Sequence, residues 1–140
     1  MSFLGDIKAK VAGVAAITSI VGTKIYPGMV PTSQDLPYLT YEVVGYEGVH
    51  NILSASGIAS FSVQFDAIGT QLQVESIAEG LRNALDGFRG IFNNNTTVNY
   101  CTLLSQIDNS VLEAKAANQL ICYRRTLDFN IGIVQAIPTL

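Results

Sequence analysis

Charge is scarce in this sequence. Lys and Arg number 8 and Asp and Glu 11, so 14% of the 140 residues are charged, against about 25% in an average soluble domain. The net charge is −3. A nucleic-acid binder driven by phosphate neutralisation needs a basic surface, and this balance excludes it. Histidine is nearly absent: His50 stands alone. No histidine cluster can therefore hold a metal, and a Cys–His or Ser–His pair would have to use His50. That residue lies in Gly48-Val49-His50-Asn51, a glycine-flanked stretch that reads as a loop, whereas a general base needs a fixed position. The two cysteines, Cys101 and Cys122, fall in strand-like segments. They read as small buried side chains of a reducing compartment, and their spacing alone does not show a disulfide.

Other signatures are missing too. The sequence holds no glycine-rich phosphate loop and no dinucleotide fingerprint. Glu75 and Glu79 are four residues apart on a helical pattern, which puts them on one wet face and flanks no cleft. No run approaches the ~18 to 20 apolar residues of a membrane span. Asp6, Lys8 and Lys10 interrupt the apolar opening Phe3-Leu4, whereas a secretory signal carries its positive charge ahead of the apolar stretch. The expectation is a cytoplasmic product with no cofactor, no membrane partner and no enzymatic activity.

Apolar residues are plentiful at 49%, which excludes a disordered chain. The length suits one domain, spanning residues 1–140. A surface with so few charges reads as one that meets other protein.

The periodicities give the elements. Phe3, Ile7, Val11 and Val14 recur at helical steps, predicting one helix over 3–17 with Gly22 closing the segment. Residues 23–37, with Tyr26-Pro27-Gly28, Pro31 and Pro37, read as an extended connection with a short strand at Lys24 to Tyr26. Residues 38–46 (YLTYEVVGY) read as a strand. In 58–67, Ala59, Phe61, Val63, Phe65 and Ala67 alternate with polar residues, which predicts a strand with one buried face. Between them, Glu47 to Gly57 reads as an eleven-residue loop reaching roughly 16 Å from the sheet, with Ile52 and Leu53 oddly apolar for a solvated tip. Val74, Ile77, Ala78, Leu81 and Leu85 predict a helix over 70–86, capped by Thr70 and ended by Gly87. Residues 97–107 read as a third strand, 108–118 as a short helix or a loop. Residues 119–133 read as the fourth strand, with Arg125 on its apolar face expected either to emerge at the sheet's edge or to pair with an acid.

The expected class is α+β: a four-stranded, mainly antiparallel sheet with two helices packed on one face, in the order α-β-β-α-β-β.

Several segments resemble a family. Val21-Gly22-Thr23-Lys24-Ile25-Tyr26-Pro27 and the later Leu36-Pro37-Tyr38-Leu39-Thr40-Tyr41 are similar to the opening of the tail-completion, or tail-terminator, proteins of long-tailed bacteriophages. Phe61 to Asp66, the helix with Ala78, Leu81 and Leu85, and Tyr123 to Phe129 resemble later segments of that family in order. Ala67-Ile68-Gly69 departs from it, since members more often carry a bulky residue after the acid, and residues 88–118 have no counterpart in the resemblance.

The resemblance implies a non-enzymatic α+β protein without cofactor. It implies a homo-hexameric ring on the head-proximal end of the tail tube, which ends tube polymerisation and meets the head's connector or stopper protein. Its place would be the virion, after assembly in a bacterial cytoplasm. DNA would pass through the ring without specific binding; six copies of charge −3 would sum to −18 and repel phosphate on average. The candidate contact residues are Glu47, His50, Asn51, Ile52 and Leu53 in the 47–57 loop, with Met29 and Val30 as a second set. Two other readings remain: another phage head–tail connector or tail tube protein, and a small-ligand-binding domain or enzyme drawing on Tyr26, Tyr38, Tyr41, Asp66 and Arg125.

Overall fold

The computed structural model describes residues 3–28, 36–50, 55–93, 95–115 and 118–134, with backbone alone at 47–50, 55–58, 109–115 and 118–122. Helices α1 (Phe3–Ala12) and α2 (Ala15–Val21) come first, then strands β1 (Ile25–Pro27), β2 (Tyr38–His50) and β3 (Ala55–Gly69). Helix α3 (Gln71–Leu85) follows, then β4 (Gly90–Phe92), β5 (Thr96–Lys115) and β6 (Asn118–Val134). The six strands form one mixed sheet in the order β1-β2-β3-β6-β5-β4. β1 pairs parallel with β2, and every other neighbour is antiparallel.

This corrects the expected four-stranded sheet with two helices. The short strand expected at Lys24 to Tyr26 is β1, which joins the sheet beside β2, and β4, three residues long, is too short to stand out as a hydrophobic run; together they add a strand at either edge of the sheet. The expected single N-terminal helix is two. Gly13 donates to Ala9 and Lys10 carbonyls and closes α1, and Val14 then turns extended (φ −94°, ψ 107°) to start α2. A glycine followed by a β-branched residue is weak helix sequence, and here it yields to packing. Residues 108–115 and 118 belong to β5 and β6, not to a helix or loop.

One face of the sheet carries the core. Ala59, Val63, Phe65 and Ala67 of β3 and Leu127, Phe129, Ile131 and Ile133 of β6 are buried, as period-two alternation requires. Phe65 and Phe129 meet edge to face, with ring centroids 5.6 Å apart. α3 lies across β3 and β6 and carries α2 on its flank, so the helices bury Ile7, Val11, Ile17, Val21, Val74, Ile77, Ala78, Leu81 and Leu85 against that face. Thr70 caps the start of α3 and Gly87 (φ 81°) follows its end, both as the sequence predicts, and Gln73 completes a reciprocal capping box with Thr70. Gly80 lets α2 and α3 close up: a Cβ there would sit 2.9 Å from Ile17 Cγ1.

α1 is tied down by a buried acid. Asp6 is wholly buried and accepts hydrogen bonds from Asn95 Nδ2 (2.7 Å), Asn93 Nδ2 (3.2 Å) and Thr96 Oγ1. Burial pushes its carboxyl up, but the three donors outweigh that and hold it below the usual carboxylate range. The contact joins the first turn of α1 to the turn between β4 and β5, where Asn93 takes a left-handed φ of 51° that asparagine tolerates.

Candidate assembly surfaces

The opposite face of the sheet is polar and cross-linked between strands, except that Arg124 Nε is buried there without a hydrogen-bond partner among the described residues. Ser60 Oγ donates to Asn130 Oδ1 (2.5 Å), Thr126 Oγ1 to Asp66 Oδ1 (2.5 Å), and Ser105 Oγ to Asp128 Oδ2 (2.9 Å). Each link crosses between adjacent strands, so the face holds itself rather than converging on a ligand. Near one end an apolar patch interrupts it, where Tyr38 and Ile68 are buried under Tyr26 and Leu36.

Of the residues read for a ligand site, only Tyr26 and Tyr38 come together, in the small cluster. Tyr41 is in the main core and Tyr38 in the separate small cluster; burial raises the Tyr41 hydroxyl. Asp66 is occupied by Thr126. Arg125 is clamped by Asp108 through Nε to Oδ1 (2.6 Å) and Nη2 to Oδ2 (3.2 Å), the structural ion pair that its place on an apolar face demands. Cys101 is a buried free thiol; burial, with the nearby Asp86 charge, pushes it up to about 12, the opposite of what a nucleophilic cysteine needs. Among the described residues no group of three His, Cys, Asp or Glu is arranged to hold a metal, and no helix is long and apolar enough to cross a membrane.

Of the candidate contact residues, Glu47 and His50 lie in β2, opposite Ser60 and Ala55 of β3. The strands therefore continue into the segment read as loop: β2 runs to His50 and β3 begins at Ala55. A stretch of glycine and polar residues can pair as strand where the hairpin ladder carries it, as Gly48 opposite Ala59 does. Asn51, Ile52, Leu53, Met29 and Val30 lie outside the described residues.

Two features were not anticipated. The β2–β3 and β5–β6 hairpins point toward opposite ends of the sheet, because β3 and β6 run antiparallel from Ile58↔Val134 to Gly69↔Tyr123. Past Tyr123, β5 and β6 continue as a two-stranded arm through five further pairs, Val111↔Cys122 to Lys115↔Asn118, a reach of roughly 17 Å.

The second feature is a pair of open strand edges. β1 flanks β2 only at Leu39–Tyr41, and β4 flanks β5 only at Thr96–Val98. Asp86 and Gly87 cover the next part of β5, bonding Leu103 N and Cys101 O. Among the described residues, no strand flanks β2 from Glu42 to His50 or β5 from Leu104 to Lys115. Val44, Tyr46, Leu104 and Ile107 on these stretches are each more than half exposed. The length of the 119–133 strand is the signal that would have found the arm, since a strand so long needs a partner of similar length.

No family model matches the sequence, and no curated protein matches it. Among solved structures, the fold is similar to a chain in the virion of a native gene transfer agent particle. The TM-score is 0.70 at 16% identity, covering 95% of this chain and 99% of that one.

Proposed function

We propose that this chain is a structural protein of a phage-like virion that caps the head-proximal end of a tail tube. In this reading it sits there as a homo-hexameric ring, ends tube polymerisation and joins the tail to the head connector, with no catalytic step. The observation that carries the virion role is the likeness, along nearly the whole of both chains, to a protein of a gene transfer agent virion. The finer role rests on the resemblance carried by the Tyr26-Pro27 and Pro37-Tyr38 segments; β1 pairs with Leu39–Tyr41, directly after the second of them.

The physical features agree. A polar, internally bonded sheet face and few charges suit a subunit with protein neighbours on several sides. The contact residues in this account include Glu47 and His50 of β2, with Asn51, Ile52 and Leu53, and Met29 and Val30 as a second set. Replacing residues 50–55 by a two-residue turn is expected to leave a folded monomer that does not assemble.

The test is to add the purified protein to polymerising tail tube protein. Capping predicts tubes whose growth stops, with this chain at one end only. Incorporation along the tube would favour the second reading, a tube or connector protein, which the same small α+β fold also suits.

A further inference from the structure

Among the described residues, the two edges left open are complementary. β2 and β5 are three antiparallel steps apart in the sheet, so they run in opposite directions. A second copy in the same orientation, placed alongside, presents its β2 edge antiparallel to the first copy's β5 edge. Glu42, Gln64, Asp128 and Ser105 share one row across the sheet. From that row the open stretch of β2 runs toward His50, and the open stretch of β5 runs the other way toward Lys115. The two can overlap only if neighbouring copies step along the strands by about nine residues, or roughly 30 Å.

We propose that copies of this chain join head to tail by antiparallel strand pairing, the β5 edge from Leu104 to Lys115 of one copy against the β2 edge from Glu42 to His50 of the next. Three observations fix a second copy as the occupant. The edges match in length, nine residues against twelve, and in direction. Each carries two exposed apolar side chains, Val44 and Tyr46 on one, Leu104 and Ile107 on the other. Neither holds the proline or run of lysines that protects an exposed edge in a monomer, and the β-bulges at Val44 and Leu104 leave the stretches beyond them regular as far as Val49 and Lys115. The β5–β6 arm gives a further reason, since a two-stranded ribbon without a third strand is marginal in water. Because the two edges differ, the contact is heterologous, and repeating it gives a ring when the rotation closes. This inference rests on the ring reading above and names the surfaces that would build the ring.

Two edge variants test it, L104K/I107K on β5 and V44K/Y46K on β2, with circular dichroism to confirm folding; V44K alone serves if the second variant does not fold. Assembly with purified tail tubes is followed by native mass spectrometry of the released protein and by electron microscopy. Each variant alone is expected to lose ring formation by more than tenfold. A one-to-one mixture is expected to stop at heterodimers, because each variant retains the edge the other lacks. Rings from either variant alone at the wild-type level, or a mixture that stays monomeric, would overturn the strand pairing and leave the ring reading standing. Wild-type protein that never oligomerises on tubes would remove the ring reading and this inference with it.

Discussion

Asp6, on the first turn of α1, accepts a hydrogen bond from Thr96, the first residue of β5. With Asn93 and Asn95 also donating, the carboxylate fastens the N-terminal helix to the far edge of the sheet. Asp6→Ala removes the acceptor for three donors at once. It is expected to lower unfolding stability by about 2–3 kcal/mol, read as a shift in the urea midpoint at unchanged slope.

The same carboxylate gives a pH dependence. Its folded-state value lies below the ordinary carboxylate range, so the folded protein binds this proton more weakly than the unfolded chain. The stabilisation is full above about pH 4 and is lost as pH falls through the lowered value. Stability curves from pH 6 to pH 2 should therefore fall less steeply in Asp6→Asn than in wild type. Parallel curves would assign the acid loss to other groups.

Gly80 tests the packing of α2 on α3. At an exposed helical site, Gly to Ala gains about 1 kcal/mol. Here the new methyl would stand 2.9 Å from Ile17 Cγ1, which is fully buried, and overpacking costs about 1–3 kcal/mol. Gly80→Ala is expected to melt below wild type; a higher melting temperature would contradict the close approach.

Much of this was legible in the sequence, for reasons that differ by element. Thr70 and Gly87 bound α3 by local hydrogen bonding and backbone chemistry, which need no tertiary context. The alternation from Ala59 to Ala67 fixed which face of β3 is buried. Gly13-Val14 was not legible as a break, because helix periodicity continues through it and only packing of α2 on α3 decides. β4 escaped because three residues carry no period; the short strand read at Lys24 to Tyr26 is β1, but nothing local showed that it joins the sheet. The segment Val111-Leu112-Glu113-Ala114-Lys115 has helix-forming composition and becomes strand only through its ladder with β6. Of the candidate contact residues, the backbone positions of Glu47 and His50 became part of the sheet, and of the ligand-site set only Tyr26 and Tyr38 came together, with Tyr41, Asp66 and Arg125 engaged elsewhere.

The Arg125–Asp108 pair is bidentate but its acid is mostly exposed. Water screens it, so Asp108→Ala is expected to cost less than about 1 kcal/mol. A larger loss in thermal unfolding would show that Arg125 depends on Asp108 for its burial.

Cys101 should be inert in the folded protein. Its thiol is buried and pushed up to about 12, so the thiolate is scarce at pH 8. Alkylation under native conditions followed by peptide mass spectrometry should find Cys101 unmodified, and denaturant should make it reactive. Rapid native labelling would place it in an opening part of the sheet.

The central claim is the capping and joining role. Its most direct measurement is electron microscopy of a lysate from the parent virus with this gene disrupted. The account predicts overlong tails, or tails free of heads beside filled heads. Tails of normal length already attached to heads would contradict it.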